Sequence, residues 1–142
     1  YQSRISGPMM DRIDLRVEVP ALTPSDLIRP KKPESSSVVA ARVSAARQMQ
    51  RERFEKRGLG MILTNAQCAT ALVEEIAAPD AAGMALLSDA SEQLKFSARA
   101  YHRILKVART LADLDGVERV GRIHLAEAIS YRMPGERLQR AA

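Results

Sequence analysis

The 142-residue sequence has no tryptophan, and aromatic side chains make up only 4% of it. A hydrophobic core must therefore be built from aliphatic side chains and alanine, which suits closely packed helices. No stretch approaches the roughly 20 consecutive apolar residues that a membrane-spanning helix needs, so we expect no membrane partner. The sequence begins with Tyr1 rather than Met and has no apolar signal region near its start. We therefore expect a cytoplasmic protein, of which this chain is an excised piece.

Cysteine and histidine are almost absent. Cys68 is the only cysteine, so no internal disulfide can form, which is typical of a reducing compartment. We expect its side chain to be a small buried hydrophobe rather than a reactive thiol. His102 and His124 have no further His, Cys or carboxylate at a spacing typical of a metal site, and we predict no metal site.

The net charge of +5 is unevenly distributed. Residues 1–60 contain 12 Lys and Arg against 7 Asp and Glu, whereas residues 61–142 contain 10 of each kind. The excess falls on the first predicted helix and the stretch before it, and such a basic run could attract a polyanion. A solvated helix face accounts for the same pattern, and we prefer that interpretation.

The first part of the chain reads as a strand and a linker. Residues 13–19 alternate strictly between apolar and charged side chains, which predicts a half-buried β-strand. A single strand needs a sheet that nothing else in this sequence supplies, so we assign residues 1–19 to the edge of a domain outside the chain. Four prolines fall between residues 20 and 37, which predicts a linker.

The rest of the sequence predicts an all-α fold, a bundle of four or five helices over residues 38–132 with a tail at residues 133–142. The predicted helices span residues 38–57, 66–76, 79–95, 97–114 and 122–132, and a loop runs from Asp113 to Arg122. The apolar residues at helical spacing are, in order, Val39, Val43, Ala46 and Met49; Met84, Leu87 and Leu94; Tyr101, Ile104, Leu105, Ala108, Leu111 and Ala112; and Leu125, Ala126 and Ile129.

Two arginines stand where they could meet a phosphate. Arg12 follows Gly7-Pro8, which predicts a turn, and precedes the predicted strand, so a rigid scaffold could aim its planar cation. Arg99 lies in the first turn of helix 97–114, where backbone N–H groups also favour an anion. From the residues alone, each arginine has a simpler interpretation. Arg12 could form a surface ion pair with a flanking aspartate. Arg99 could belong to a solvated basic stripe that runs from Arg99 to Arg109.

Three segments then point to a known family. Residues 6–15, SGPMMDRIDL, resemble the SGPLLDRIDL segment of magnesium-chelatase-like AAA+ ATPases, with Met9 and Met10 in place of the usual leucines. Residues 97–114 resemble the lid helix of that family, and residues 124–132 resemble its closing helix. The resemblance covers nearly the whole chain, is loose over the middle of the sequence, and is nearest to the group of ComM-type competence proteins.

The resemblance implies a helical lid, preceded by the C-terminal edge of an AAA+ core, from a hexameric ring ATPase. It implies that Arg12 is an arginine finger acting in trans on the nucleotide of a neighbouring subunit. It also implies that Arg99 is a sensor-2 arginine, a cofactor-binding residue that contacts the ATP of its own subunit. The parent protein would bind ATP and Mg²⁺, contact neighbouring subunits of a homo-oligomer through its core, couple hydrolysis to lid motion and act on DNA.

Two alternatives stay open. The chain could be a stand-alone helical DNA-binding module that uses helix 97–114, or the lid of a magnesium chelatase subunit of pigment synthesis. The predicted connection from Asp113 to Arg122 is longer and more acidic than the 3–4-residue turn of a helix-turn-helix motif, which favours the ATPase reading.

We predict that this chain alone neither hydrolyses nor tightly binds ATP, and we expect no cofactor in it. Gly116 and Gly121 have the glycine spacing of a P-loop, but the Lys-Ser/Thr that would contact the phosphates and Mg²⁺ is missing. A calorimetric titration of the chain with MgATP should therefore give no saturable binding. An affinity in the micromolar range would contradict this interpretation.

Overall fold

The computed structural model describes residues 6–21, 24, 28 and 33–132, and most of these residues are helical. The helices are α1 (Gly7–Met10), α2 (Ser36–Glu55), α3 (Thr70–Ile76), α4 (Ala81–Leu94), α5 (Ala98–Leu114) and α6 (Arg122–Ser130), with a 3-10 turn at Asn65–Gln67. Among the described residues the only β contact is an isolated parallel bridge between Pro79 and Val120. The all-α prediction is confirmed, while the predicted tail and half of the predicted linker lie outside the described residues.

Helix α5 is the centre of the bundle. It packs against α2, α3, α6 and the 3-10 turn, whereas α4 packs against α6. Ser97 caps the helix, since the Ala100 N–H donates to Ser97 Oγ over 3.1 Å. Ile104 is fully buried and Tyr101 is half-buried at the edge of the same face. The apolar face predicted for residues 97–114 is therefore confirmed.

Only the second half of α2 belongs to the core. Gln50 and Phe54 are buried, but every residue from 36 to 45 is exposed. Val39 and Val43 have the same helical spacing as buried residues further along, yet they are 36% and 44% exposed. Periodicity along one helix predicts its length but cannot reveal where its packing partners end.

Two predicted core positions are wrong. Met84 of α4 is 48% exposed, and Gly83 faces the core instead. A Cβ added to Gly83 would lie 2.8 Å from Leu125 Cδ1, so the glycine allows α4 and α6 to approach closely. Ala126 of α6 is exposed because the buried stripe follows Leu125, Ala128 and the next residue, and position 126 lies about 100° from Leu125 around the helix.

The predicted helix over residues 66–76 is shorter than expected. The 3-10 turn ends at Gln67, Cys68 is extended with φ −65° and ψ 137°, and α3 begins only at Thr70. Cys68 is 4% exposed, which confirms its prediction as a buried hydrophobe. Burial raises the pKa of its thiol, so little reactive thiolate forms near neutral pH.

A buried carboxylate connects three of these elements. Asp113 is 2% exposed near the end of α5, and its Oδ1 lies 3.0 Å from Nη2 of Arg109, one turn earlier. Arg53 of α2 pairs with the same carboxylate through both terminal nitrogens. Asn65 of the 3-10 turn donates from Nδ2 to Asp113 Oδ2 over 2.8 Å. Asp113 thus joins α5 to α2 and to the 3-10 turn.

The guanidinium of Arg109 also holds the loop between α5 and α6. Its Nη2 donates to the carbonyl of Val117 over 2.7 Å, and its Nη1 donates to the carbonyl of Glu118. Burial lowers the pKa of Arg109 and the nearby Asp113 carboxylate opposes that shift. Sequence analysis placed Arg109 at the end of a basic stripe and Asp113 at the start of a loop; the structure instead buries both inside α5.

Replacement of Asp113 tests this network. We expect Asp113→Ala to lower the free energy of unfolding by about 3–5 kcal/mol, because two arginines lose a buried acceptor. Asp89→Ala is the matched control, since Asp89 is exposed and has no partner among the described residues; it should change stability by less than about 0.5 kcal/mol. Urea denaturation followed by circular dichroism measures both. Equal stability of the two variants would show that the network contributes nothing.

Candidate functional site

Arg12 lies directly after α1, on an exposed turn. Its backbone N–H donates to the carbonyl of Met9 over 3.0 Å, and its Nη1 approaches the carbonyl of Pro8 at 3.5 Å. The flanking aspartates, Asp11 and Asp14, bind other groups, so Arg12 has no carboxylate partner among the described residues. The surface ion pair that explained Arg12 most simply from the sequence is therefore not formed.

Arg99 lies in the first turn of α5, two residues after the Ser97 cap. It is exposed, and it makes no hydrogen bond or ion pair with any described residue. It lines a cavity of about 810 Å³ whose other walls come from α5, the 3-10 turn, the start of α3, residues 14–15 and Tyr131. The apolar part of this cavity includes Val107 and Leu111.

The other basic side chains that line this cavity have partners. Arg103 forms an ion pair with Asp14, and Lys106 donates to the carbonyl of Ala66 over 2.9 Å. His102 has Glu74 Oε1 at 2.9 Å from Nε2 and a backbone carbonyl next to Nδ1. Within the described part of the chain, Arg99 is thus the lining arginine whose guanidinium has no bonded partner, whereas Arg103 and Lys106 each make one bond to an oxygen of the chain.

The segment that carries Arg12 packs against the helices that carry Arg99. Ser97 Oγ donates to Asp11 Oδ2 over 2.9 Å. The Arg16 N–H donates to the carbonyl of Tyr131 over 2.8 Å, and Arg132 Nη1 donates to the carbonyl of Ile13 over 3.1 Å. Both candidate arginines therefore lie within two residues of the Asp11–Ser97 contact.

This packing was not expected from the sequence. Residues 13–19 form no strand in the structure, and Val17 and Val19 at their end are 68% and 86% exposed. Nothing in the described residues supplies the sheet that the alternating pattern predicted. The charges of Asp11 and Asp14 were visible in the sequence, but no local spacing relates them to α5 or to Arg132.

Arg132 lies beneath this segment. It is 7% exposed, and its Nη2 lies 3.6 Å from Asp11 Oδ1. Burial, and then the nearby charge of Arg16, lower the pKa of Arg132, while Asp11 and Asp14 oppose that shift. The positive charges of Arg16 and Arg132 therefore lie close together in a partly dehydrated environment.

The described residues contain no group of three or more His, Cys, Asp or Glu that could hold a metal ion. None of the helices described is long and apolar enough to cross a membrane.

Comparison with known families identifies the chain. The family described as magnesium chelatase, subunit ChlI C-terminal, matches residues 33–132, and the family described as magnesium chelatase, subunit ChlI, matches residues 1–27. The chain belongs to the magnesium chelatase ChlI family. The first match covers the helical bundle of this family member, and the second covers the segment with Arg12.

Relatives of this magnesium chelatase family member extend well beyond it. It is 38% identical over 141 residues to "Competence protein ComM" of Haemophilus influenzae, covering 99% of this chain and 26% of that protein. It is 38% identical over 133 residues to YifB of Escherichia coli, covering 93% of this chain and 25% of that protein. It is 35% identical over 137 residues to Mb2921c of Mycobacterium bovis, covering 96% of this chain and 26% of that protein. The chain thus spans about a quarter of the length of these relatives.

Proposed function

We propose that this lid fragment belongs to a hexameric magnesium-chelatase-like AAA+ ATPase in which Arg12 is the arginine finger and Arg99 is the sensor-2 residue. The observation that carries the proposal is which of the basic side chains at this end of the molecule pair with an acidic side chain. Arg103 and Arg132 pair with Asp14 and Asp11, whereas Arg12 and Arg99 have no acidic partner among the described residues. Arg12 makes only a long hydrogen bond of 3.5 Å to the carbonyl of Pro8. A guanidinium without a carboxylate partner is available to a phosphate.

Both roles are electrostatic. A guanidinium presents N–H donors in a rigid plane that matches two phosphate oxygens at once. Placed against the γ-phosphoryl group, such a cation neutralises the charge that builds on its oxygens during hydrolysis. Bound ATP with its Mg²⁺ would supply the phosphoryl group; Arg99 would hold that of its own subunit, and Arg12 that of the neighbouring subunit.

The fold suits Arg99 to this task because α5 is fixed at both ends. At its start the Ser97 hydroxyl accepts from the Ala100 N–H, and at its end Asp113 is bound by Arg53 and Arg109. The backbone of a cation on such a helix loses little conformational entropy when the cation binds a ligand. A displacement of the bound ligand then moves the helix and, with it, the whole lid. Lid motion is therefore the expected output of hydrolysis.

The parent is proposed to act on DNA, as a ring of identical subunits that meet through the core. The support is likeness to a protein named for competence, at 38% identity over 99% of this chain. A lid from a chelatase subunit of pigment synthesis would share the fold and differ only in its partners. The match to the family described as magnesium chelatase, subunit ChlI C-terminal, is compatible with this alternative.

A stand-alone DNA-binding role has less support. Helix α5 packs against α2, α3 and α6, so a DNA groove could reach only its exposed face. On that face Arg103 and Lys106 are bound within the chain. The basic residues of α2 are also partly neutralised, since Arg42 pairs with Glu34 and Arg53 pairs with the buried Asp113.

Substitution in the full-length parent tests the two roles. Arg12→Ala and Arg99→Ala should each lower ATP turnover by roughly 10³-fold, the lower end of the effect of arginine fingers in GTPases. Lysine at either position should restore little, because a point charge does not reproduce the guanidinium fork. Arg47→Ala is the control, since Arg47 is exposed on α2 without a partner among the described residues. The ATP turnover of this variant should be unchanged.

Mixed rings distinguish action in trans from action in cis. Arg12→Ala subunits mixed with P-loop-mutant subunits should regain activity, because some interfaces combine an intact P-loop with an intact finger. Arg99→Ala subunits in the same mixture should not, because every site then lacks either its P-loop or its sensor. If the two variants behave alike in this assay, the assignment of trans and cis roles is wrong.

A further inference from the structure

We propose that Asp11, Asp14 and Arg132 are positioning residues that hold Arg12 and Arg99 in one rigid body. Their contacts with Ser97, Arg103 and each other form what we call the latch. The inference rests on the proposed function, because it assigns a regulatory role to the two arginines of that site. It is carried by contacts that none of the sequence patterns predicted.

The latch holds the chain on both sides of Arg12. On one side, Asp11 accepts from the Ser97 hydroxyl over 2.9 Å and lies 3.6 Å from Arg132 Nη2. On the other side, Asp14 pairs with Arg103, one turn further along α5 than Arg99. Arg12 therefore cannot move relative to α5 unless at least one of these contacts breaks.

Ser97 connects the two arginines most directly. Its hydroxyl accepts from the Ala100 N–H, which starts α5, and the same hydroxyl donates to Asp11. Arg12 is the residue after Asp11, and Arg99 is the second residue after Ser97. A displacement at either arginine is thus passed to the other through one hydrogen bond and three residues of backbone.

Backbone contacts complete the latch. The N–H of Arg16 donates to the carbonyl of Tyr131 over 2.8 Å, and Arg132 Nη1 donates to the carbonyl of Ile13 over 3.1 Å. These bonds fasten the segment to the end of α6, a second element besides α5. They also give a direct readout, because the Arg16 amide is protected from solvent exchange only while the segment is docked.

The same geometry makes the latch releasable. Arg132 is 7% exposed and lies near the like charge of Arg16, whose Nε is buried without a hydrogen-bond partner among the described residues. Burial of these groups opposes docking, while the ion pairs of Asp11 and Asp14 favour it. Both aspartate side chains remain about half exposed, so their pairs are weakened by salt. A ligand that binds better to the docked or to the released state shifts the equilibrium between the two.

The functional consequence follows from the roles proposed for the two arginines. If Arg99 contacts the nucleotide of its own subunit and Arg12 that of the neighbour, a closed latch makes the geometry of one site depend on the occupancy of the next. Release of the latch leaves both sites intact but independent. Latch variants should therefore lower turnover and its cooperativity in ATP, and leave the fold unchanged.

Hydrogen–deuterium exchange of the 142-residue chain tests the latch without any nucleotide. The Arg16 amide should exchange about 10-fold faster in Asp11→Asn, which deprives the buried Arg132 of its carboxylate partner, and about 2–5-fold faster in Asp14→Asn, which breaks a more exposed pair. The amide of Ala108 in the core of α5 should not change. Asp89→Asn removes the same charge from an exposed position of α4 that has no partner in the described part of the chain, and it should leave Arg16 unaffected.

A charge swap shows whether the contact is direct. Asp14→Arg and Arg103→Asp should each accelerate exchange at Arg16, and the double variant should restore most of the protection. In the full-length parent, the same double variant should recover turnover and cooperativity that each single variant loses. General destabilisation by either substitution, without a direct contact between the two residues, would not give this reciprocal recovery.

The outcomes separate the two proposals. The latch is overturned if the Arg16 amide of the unmodified chain exchanges like an unprotected one, or if Asp11→Asn and Asp14→Asn match Asp89→Asn. Its positioning role is overturned if these variants change exchange but leave turnover and cooperativity of the parent unchanged. If Arg12→Ala and Arg99→Ala of the parent prove fully active, the proposed function fails, even where exchange shows that the latch exists.

Discussion

The carboxylate of Asp113 binds Arg53 of α2, Arg109 of α5 and Asn65 of the 3-10 turn at the same time. Arg109 extends this network to the loop before α6, where it binds the carbonyls of residues 117 and 118. That loop leads to Val120, whose carbonyl accepts from the N–H of Asp80, the cap of α4. One buried anion therefore helps to fix α2, the 3-10 turn and the loop before α6 around α5, the helix at whose start Arg99 lies.

Arginine has opposite roles at the two ends of α5. Near the C-terminal end, Arg109 is 1% exposed and every described contact of its guanidinium is to the chain itself, which makes it a structural residue. Near the N-terminal end, Arg99 is exposed and has no described partner, which leaves it free for a ligand. Arg12 shares that freedom because Asp11 and Asp14 bind Ser97, Arg103 and Arg132 instead. The two arginines proposed to act on a nucleotide therefore lack acidic partners, as Arg47 of α2 does, and what sets them apart is their position on the two sides of the Asp11–Ser97 contact.

The sequence predicted the helices well because capping and periodicity are local. Ser97 and Asp80 cap their helices as such residues do, and the apolar face of α5 lies where 3.6-residue spacing puts it. Packing between helices is not local, so the exposure of Met84 and the burial of Arg109 could not be read from either helix alone. Arg12 and Arg99 were noticed from their positions beside a predicted turn and in a first helical turn, and the resemblance then implied their roles. Their proximity depends on contacts between residues more than 80 positions apart, such as Asp11 with Ser97, which no single sequence pattern encodes.

The central claim is that this lid presents Arg99 to the nucleotide of its own subunit and Arg12 to that of the neighbour. The most direct measurement is a structure of the full-length parent ring with Mg²⁺ and a non-hydrolysable ATP analogue. The account predicts α2 to α6 arranged as described, with the Arg99 guanidinium about 2.7–3.2 Å from a γ-phosphate oxygen of its own subunit. It also predicts Arg12 at the γ-phosphate of the adjacent subunit. A ring in which both arginines face solvent, or both meet the same nucleotide, would contradict the account.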